Sequence, residues 1–383
     1  MPHPAALTGP PIAWRDLDRV LVVRADNLGD VLMAGPALRA LRAAAPNARL
    51  DLLAAPAGAP AAQLLPEVAG VLTASVSWQH AGAGGPPLAE DLRLIERISA
   101  GKYSAAVILT SFSQSPWPAG YLCRLAGVPI RVGMSKEFGG AGLTHWAAVP
   151  DNDGTADTMH QVDRALHLLR QVGVPPVGAR LHAVVPEWGR RAGAAVLAAH
   201  GVPVGQPYAL LLPGASCSSR RYPPDRLARV ARLLADAGLP VVVAGTAKEA
   251  GLVATVTDGC PGAVGLVDRL ELPALAYAVS VASVVVCNNS GGAHLASALR
   301  TPVVVLFAGT ERVSQYRPRF GPAAVLTVPT DCSPCRQFVC PYASECLDVA
   351  PERVARAALG LAGRRRVRRS VSVRSGVANR APA

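Results

Sequence analysis

Hydrophobic positions in this chain arrive in short unbroken runs rather than in alternation. Val20-Leu21-Val22-Val23, Leu50 to Ala54, Ala105 to Leu109, the segment near Ile130, Tyr208 to Leu212, Val241 to Ala244, Ser283 to Cys287 and Val303 to Phe307 are each four to six residues long. Runs of that length and β-branched content predict strands buried on both faces. Between them lie stretches with apolar residues at helical spacing. These predict helices over about Val31 to Ala44, where Leu32, Leu38 and Leu41 repeat on one face, near 119–126, over Pro224 to Ala237, near Leu272 to Ser280, and over Ala293 to Leu299. Strands alternating with helices imply a parallel sheet covered on both faces, an α/β architecture. The rhythm is interrupted by a proline-rich stretch, Pro175-Pro176 to Pro207, and then restarts. Two Rossmann-like domains are therefore expected, over residues 15–175 and 206–362, with a linker at 176–205 and a ligand cleft where the domains face each other. A flexible loop is expected at Gly82 to Pro87.

Composition supports this reading. The 383 residues are half hydrophobic but only 4% aromatic, a mixture suited to Ala-, Val- and Leu-filled α/β layers. Formal charge is +12, yet Arg364, Arg365, Arg366, Arg368, Arg369, Arg374 and Arg380 concentrate much of it in a tail from residue 363, expected to be disordered and free to touch an anionic membrane face. With the charge so confined and no aromatic stacking positions, nucleic acid is not an expected partner. No apolar run approaches the roughly 18 residues of a membrane span. Met1 to Ala13 lacks the charged and apolar regions of a signal peptide, so a cytoplasmic location is expected, peripheral to the membrane if the tail engages it.

Candidate chemistry sits in the turns that follow strands, where open α/β sheets bind ligands. After the first strand comes Ala25-Asp26-Asn27-Leu28-Gly29-Asp30. Asp30 is placed either to accept a proton from an acceptor hydroxyl or simply to cap the helix. Leu212-Pro213-Gly214-Ala215-Ser216 continues through Cys217-Ser218-Ser219-Arg220-Arg221-Tyr222 to a proline-opened helix. Small residues, free amides and arginines suit a phosphate there. Asn288-Asn289-Ser290-Gly291-Gly292-Ala293-His294 repeats the arrangement after another strand, and Lys248 and Glu249 follow the strand ending Ala244-Gly245. Neither GxxxxGK[ST] nor GxGxxG occurs after a strand, which argues against a P-loop enzyme or a dehydrogenase. Cys332, Cys335, Cys340 and Cys346 lie within fifteen residues. They read as thiolate ligands for a structural zinc ion, as an iron–sulfur site, or as free thiols and labile disulfides.

These loops, Arg24 to Asp30 with Pro36-Ala37-Leu38-Arg39, Pro213 to Ser216 with Arg220 to Pro223, and Asn288 to Ala296, together with Leu125 to Pro129 and Arg131-Val132-Gly133, resemble glycosyltransferase family 9, the heptosyltransferase family, in order over residues 19–360. The resemblance implies a GT-B fold and an inverting, metal-independent sugar transfer. The acceptor would be taken by the N-terminal domain and a nucleotide-sugar, ADP-heptose by family default, by the C-terminal one. The implied acceptor is lipopolysaccharide core or another cell-surface glycan or glycolipid. It further implies Asp30 as catalytic base, Arg220 where the family has a phosphate-binding lysine, and Asn289 where it has an aspartate. Ser216, Ser290, Gly291 and His294 match its donor loops, Glu249 its ribose contact, and Leu270 lies near its base contact. The replacements at 220 and 289 leave open a non-catalytic nucleotide-sugar binding module.

Overall fold

The computed structural model describes residues 9–80, 84–112, 114–149, 158–203 and 205–377, with side chains to residue 365. The chain divides into two compact units, Met1–Val184 and Val185–Ala383.

The first unit holds six strands, β1 (Arg19–Val23), β2 (Arg49–Ala54), β3 (Gly70–Thr73), β4 (Ala105–Ile108), β5 (Ile130–Ser135) and β6 (His145–Ala148). They form one parallel sheet in the order β3-β2-β1-β4-β5-β6. Four helices accompany it, α1 (Leu28–Ala44), α2 (Leu88–Ala100), α3 (Trp117–Leu125) and α4 (Gln161–Gln171). Val20, Leu21 and Val22 have no exposed surface, as a strand covered on both faces requires.

In the second unit the strands are β7 (Ala209–Leu212), β8 (Val241–Gly245), β9 (Val264–Val267), β10 (Val284–Asn288), β11 (Val303–Leu306) and β12 (Ala323–Leu326). Their order, β12-β11-β10-β7-β8-β9, is the same winding, again wholly parallel. The helices are α5 (Glu187–Ala199), α6 (Pro224–Asp236), α7 (Ala250–Asp258), α8 (Leu272–Val281), α9 (Gly291–Ala298), the short α10 (Val313–Tyr316) and α11 (Pro351–Val377). On α6, Leu227, Val230 and Leu234 are buried in the core of this unit. Each stabilises it by about 1.5–3 kcal/mol on leaving water.

The doubly wound order fixes where a ligand can sit. In each sheet the winding reverses between the first and fourth strands, β1 beside β4 and β7 beside β10. The crevice beyond the carboxyl ends of such a pair is the usual binding place. The loops after β1 and β4, and those after β7 and β10, therefore converge in pairs.

Several expectations are revised. Helix α1 starts at Leu28, so the turn expected to run to Asp30 is already helical, and its N-cap is Asn27. Helix α5 occupies the middle of the stretch expected as linker, because that helix has its own packing surface against α8. Gly189 lies against Pro273, and Gly193 against Ala274 and Tyr277, too closely for any Cβ. The tail expected as disordered is helical from residue 363 to 377 as the continuation of α11, whose start is anchored by buried Val354, Ala355, Ala358, Leu361 and Ala362. Arg380, like the rest of 378–383, lies outside the described residues. So do Gly82 and Ala83 of the expected loop and residues 1–8 of the N-terminus. Among the described residues no helix is long and apolar enough to cross a membrane.

Candidate active site

Asp30 stands in the first turn of α1, at the carboxyl end of β1. It is not the N-cap. Its backbone N–H donates to Asn27 O at 3.0 Å, while its carboxylate Oδ1 accepts from the Arg24 guanidinium at 2.9 Å. Arg24, the residue that ends the strand run, is 4% exposed and serves two carboxylates. Its Nε lies 3.0 Å from Asp26 Oδ2, and Asp26 and Asp30 are 8% and 18% exposed. The same guanidinium donates to Ser111 Oγ at 2.7 Å, and Gln114 Nε2 donates to Asp26 Oδ1 at 2.5 Å. Burial holds the Asp26 carboxyl above the usual carboxylate range; Arg24 pulls it down, the Asp30 charge pushes it up and the Gln114 hydrogen bond lowers it. Asp30 borders an open pocket walled by Met33, Leu109, Met134 and Leu168 with Arg24 and Arg164 as its cations. A carboxylate at the edge of a largely apolar pocket, oriented by a buried guanidinium, can accept a proton from a hydroxyl that enters the pocket.

The loop after β7 is held by Asn288, at the end of β10. This buried amide donates to Pro213 O at 2.8 Å and Gly214 O at 3.2 Å, and accepts the Tyr222 N–H at 3.0 Å. One side chain thus staples both ends of the 213–222 loop. Its neighbour Asn289 is also buried, with its Oδ1 accepting the Ala308 N–H at 3.0 Å. The two arginines diverge. Arg221 turns back to Ala215 O at 3.1 Å, whereas Arg220 donates from Nε to Thr310 Oγ1 at 3.0 Å and pairs with Glu311 Oε1 at 2.7 Å. The other Glu311 oxygen lies 3.5 Å from Asn289 Nδ2. A neutral amide at 289 therefore faces a carboxylate, where an aspartate would have repelled it. Glu311 was missed in the sequence, although its place after β11, at the carboxyl end of a strand, was the available signal.

Ser290 is the N-cap of α9 in extended conformation, without a side-chain capping bond. Gly291 and Gly292 open that helix, and a Cβ at Gly292 would meet Leu212 Cδ1 at 2.7 Å, so glycine there lets the helix end sit against β7. His294 is buried in the first turns of α9, and burial pushes its pKa down to about 4. It is a neutral hydrogen-bonding group at neutral pH. Ser216 is exposed in the loop after β7. Glu249 belongs to a capping box in which Oε2 accepts from Thr246 N–H at 2.8 Å, and its Oε1 lies over Gly214, where a Cβ would come within 1.6 Å. The structure thus brings Arg220 and Asn289 to the same carboxylate, Glu311, places Ser290, Gly291 and His294 in the first turns of α9 after Asn289, and brings Glu249 to the loop after β7 at Gly214. Leu270 follows β9, the edge strand, and is half-buried away from the switch point.

The spacing of the four clustered cysteines leaves open a metal site, an iron–sulfur site and free thiols or labile disulfides. They form no disulfide, and among the described residues no group of three or more His, Cys, Asp or Glu side chains is arranged to hold a metal ion. Cys332, Cys335 and Cys340 lie within electrostatic reach of Cys346. Cys332 is exposed with Sγ 3.5 Å from Thr330 Oγ1, while Cys346 takes a hydrogen bond from the Gly309 N–H.

Two doubly wound parallel units in one chain are the architecture of the GT-B class. The model of glycosyltransferase family 9 (heptosyltransferase) matches residues 92–344, and the chain belongs to that family. It is 26% identical over 305 residues to lipopolysaccharide heptosyltransferase 2 of Escherichia coli K12, covering 76% of this chain and 82% of that one. Among solved structures, a family 9 glycosyl transferase from Veillonella parvula superposes with TM-score 0.74 at 21% identity, over 92% of this chain and 99% of that one. The ADP-heptose LPS heptosyltransferase II of E. coli superposes with TM-score 0.71 at 21% identity, over 90% and 99%.

Proposed function

We propose that this glycosyltransferase moves heptose from ADP-heptose to a hydroxyl of lipopolysaccharide core or a related cell-surface glycan, inverting the anomeric carbon without a metal ion. The observation that carries the reading is Asp30, held by Arg24 at the edge of a pocket beyond the first sheet's switch point. The donor is supported by family membership and by the ADP-heptose enzyme of E. coli among the structural neighbours.

In this mechanism the N-terminal unit takes the acceptor and the C-terminal unit the donor. Asp30 accepts the proton of the acceptor hydroxyl as its oxygen bonds to the anomeric carbon. The bond from that carbon to the diphosphate breaks from the opposite face, and ADP leaves with its electron pair. Arg220 and the backbone amides of Ser216, Ser290 and Gly291 stabilise the charge that builds on the departing diphosphate, the electrostatic help on which such a displacement depends most. His294, being neutral, contributes a hydrogen bond rather than a cation. Asn289 keeps Glu311 in place against Arg220, and Glu249 takes ribose hydroxyls.

The test is Asp30→Asn assayed for heptosyl transfer. General-base loss is expected to lower kcat by about 10²–10⁴ while ADP affinity stays unchanged. Normal turnover by this variant would remove Asp30 from the chemistry.

A further inference from the structure

The four cysteines carry no step of the transfer, yet the segment that holds them rests on both loops that form the Arg220–Glu311 pair. On one side, the Ser219 N–H donates to Phe338 O at 3.2 Å, Ser219 Oγ to Gln337 O at 2.5 Å, and Ser218 Oγ to Phe338 O at 3.3 Å. Those two serines immediately precede Arg220. On the other side, the Cys335 N–H donates to Gly309 O at 2.9 Å and the Arg336 N–H to Thr310 O at 3.1 Å. Gly309 returns its own N–H to the Cys346 thiol, and a Cβ at Gly309 would lie 3.2 Å from Ser333 and 3.4 Å from Cys346. These residues immediately precede Glu311. Ser219 and Thr310 are 4% and 1% exposed, so their ends of the anchoring bonds are buried, while the bond from Ser218 to Phe338 lies at the surface.

A guanidinium that must meet a diphosphate is useful only if its backbone is fixed. Arg220 sits on a three-residue turn, Ser218–Arg220, with no side-chain cap of its own. Its position is instead set from outside by hydrogen bonds to residues 337 and 338. The carboxylate that orients it is set from the same source, through residues 335 and 336. A shift of the cysteine segment therefore moves both members of a 2.7 Å ion pair at once.

We propose that the 332–346 segment is a clasp that positions Arg220 for the donor diphosphate, so that nucleotide occupancy and the reactivity of its thiols are coupled. This rests on the donor-site reading above. Coupling is reciprocal. A nucleotide that holds Arg220 orders the clasp and shields its thiols, and loosening the clasp weakens the nucleotide. Ser219 is the positioning residue at its centre.

The experiment uses the full chain. ADP binding is measured by calorimetry, and alkylation by N-ethylmaleimide is followed cysteine by cysteine by mass spectrometry with and without saturating ADP. Alkylation of Cys332, Cys335 and Cys340 is expected to slow by about fivefold or more, the lower end of ordinary coupling. Cys123, buried in the other unit, is the control for general unfolding and stays unalkylated with or without ADP. Ser219→Ala is expected to weaken ADP binding by about fivefold, the worth of one hydrogen bond, with Ser219→Thr restoring it. Should Ser219→Ala fail to fold, the wild-type protection measurement decides alone. ADP binding with unchanged thiol rates would overturn the clasp while leaving the donor site standing. No ADP binding by the wild type would overturn the donor site and the clasp with it.

Discussion

Replacing Arg24 by glutamine tests the electrostatics under Asp30. The guanidinium is 4% exposed and is shared by Asp26, 8% exposed, and Asp30, 18% exposed. Removing one member of a buried ion pair costs about 3–5 kcal/mol, because the partner stays buried without its counter-charge. Asp26 keeps its hydrogen bond from Gln114, and Asp30 reaches some water, so the lower end, about 3 kcal/mol at pH 7.5, is expected. The deficit has a definite pH dependence. Burial already raises the Asp26 pKa, and losing Arg24 removes the cation that lowered it. The folded variant then holds a proton that the unfolded chain releases above about pH 3.9, so its stability falls as pH rises. The deficit is therefore largest at pH 7.5 and shrinks toward pH 5. Urea unfolding followed by tryptophan fluorescence reads this, since Trp14, Trp78, Trp117 and Trp146 are in the N-terminal unit and only Trp188 is outside it. A deficit below about 1 kcal/mol, or one that grows on acidification, would refute buried charge compensation as the reason for Arg24.

Other expectations follow from single contacts. Asn288→Ala strips three hydrogen bonds from the 213–222 loop; at about 1 kcal/mol or more for each group left unpaired, it is expected to cost about 3 kcal/mol and to weaken ADP binding, read by urea unfolding and calorimetry. His294 titrates at about 4 when folded, against about 6.5 unfolded. The unfolded chain binds the extra proton, so stability is intact above pH 6.5 and falls by about 3 kcal/mol as pH drops through 4, a limb that thermal melts of His294→Gln are expected to lack. Gly214→Ala puts a Cβ where Glu249 Oε1 lies, and the end of a flexible side chain must move. Melting temperature is expected to change little while nucleoside affinity drops, and unchanged affinity would take Glu249 out of the site.

The strands that reach both faces of a sheet were legible as apolar runs because nothing but burial selects their side chains. Edge strands were not. In β3 exposure alternates along Gly70–Thr73, so it needs no apolar run, and β12 is a short run of Ala323-Ala324-Val325-Leu326 with little β-branched content to mark it. Helix α5 is hard to see in the sequence because its buried face is Gly189, Gly193 and Leu197, so only one large apolar residue marks it. The loops of the site were legible from their place after strands, and Asp30, Arg220 and His294 with them. Their partners were not. Glu311 lies 91 residues from Arg220, and Asn288 66 residues from Tyr222, distances that no local pattern spans. The cysteine spacing leaves a metal site open, whereas Cys332 turns to Thr330 and Cys346 to Gly309. Spacing supplies candidate ligands but not their convergence on one point.

The central claim, a C-terminal unit built for an ADP-linked sugar, is tested most directly by thermal shifts of the full chain with ADP, GDP, UDP and dTDP. A nucleotide at 100 times its dissociation constant adds about 2.7 kcal/mol to the stability of the state it binds. A selective rise in melting temperature with ADP is the expected result. A folded sample that ADP leaves unmoved, or that another nucleotide stabilises more, would contradict the assigned donor.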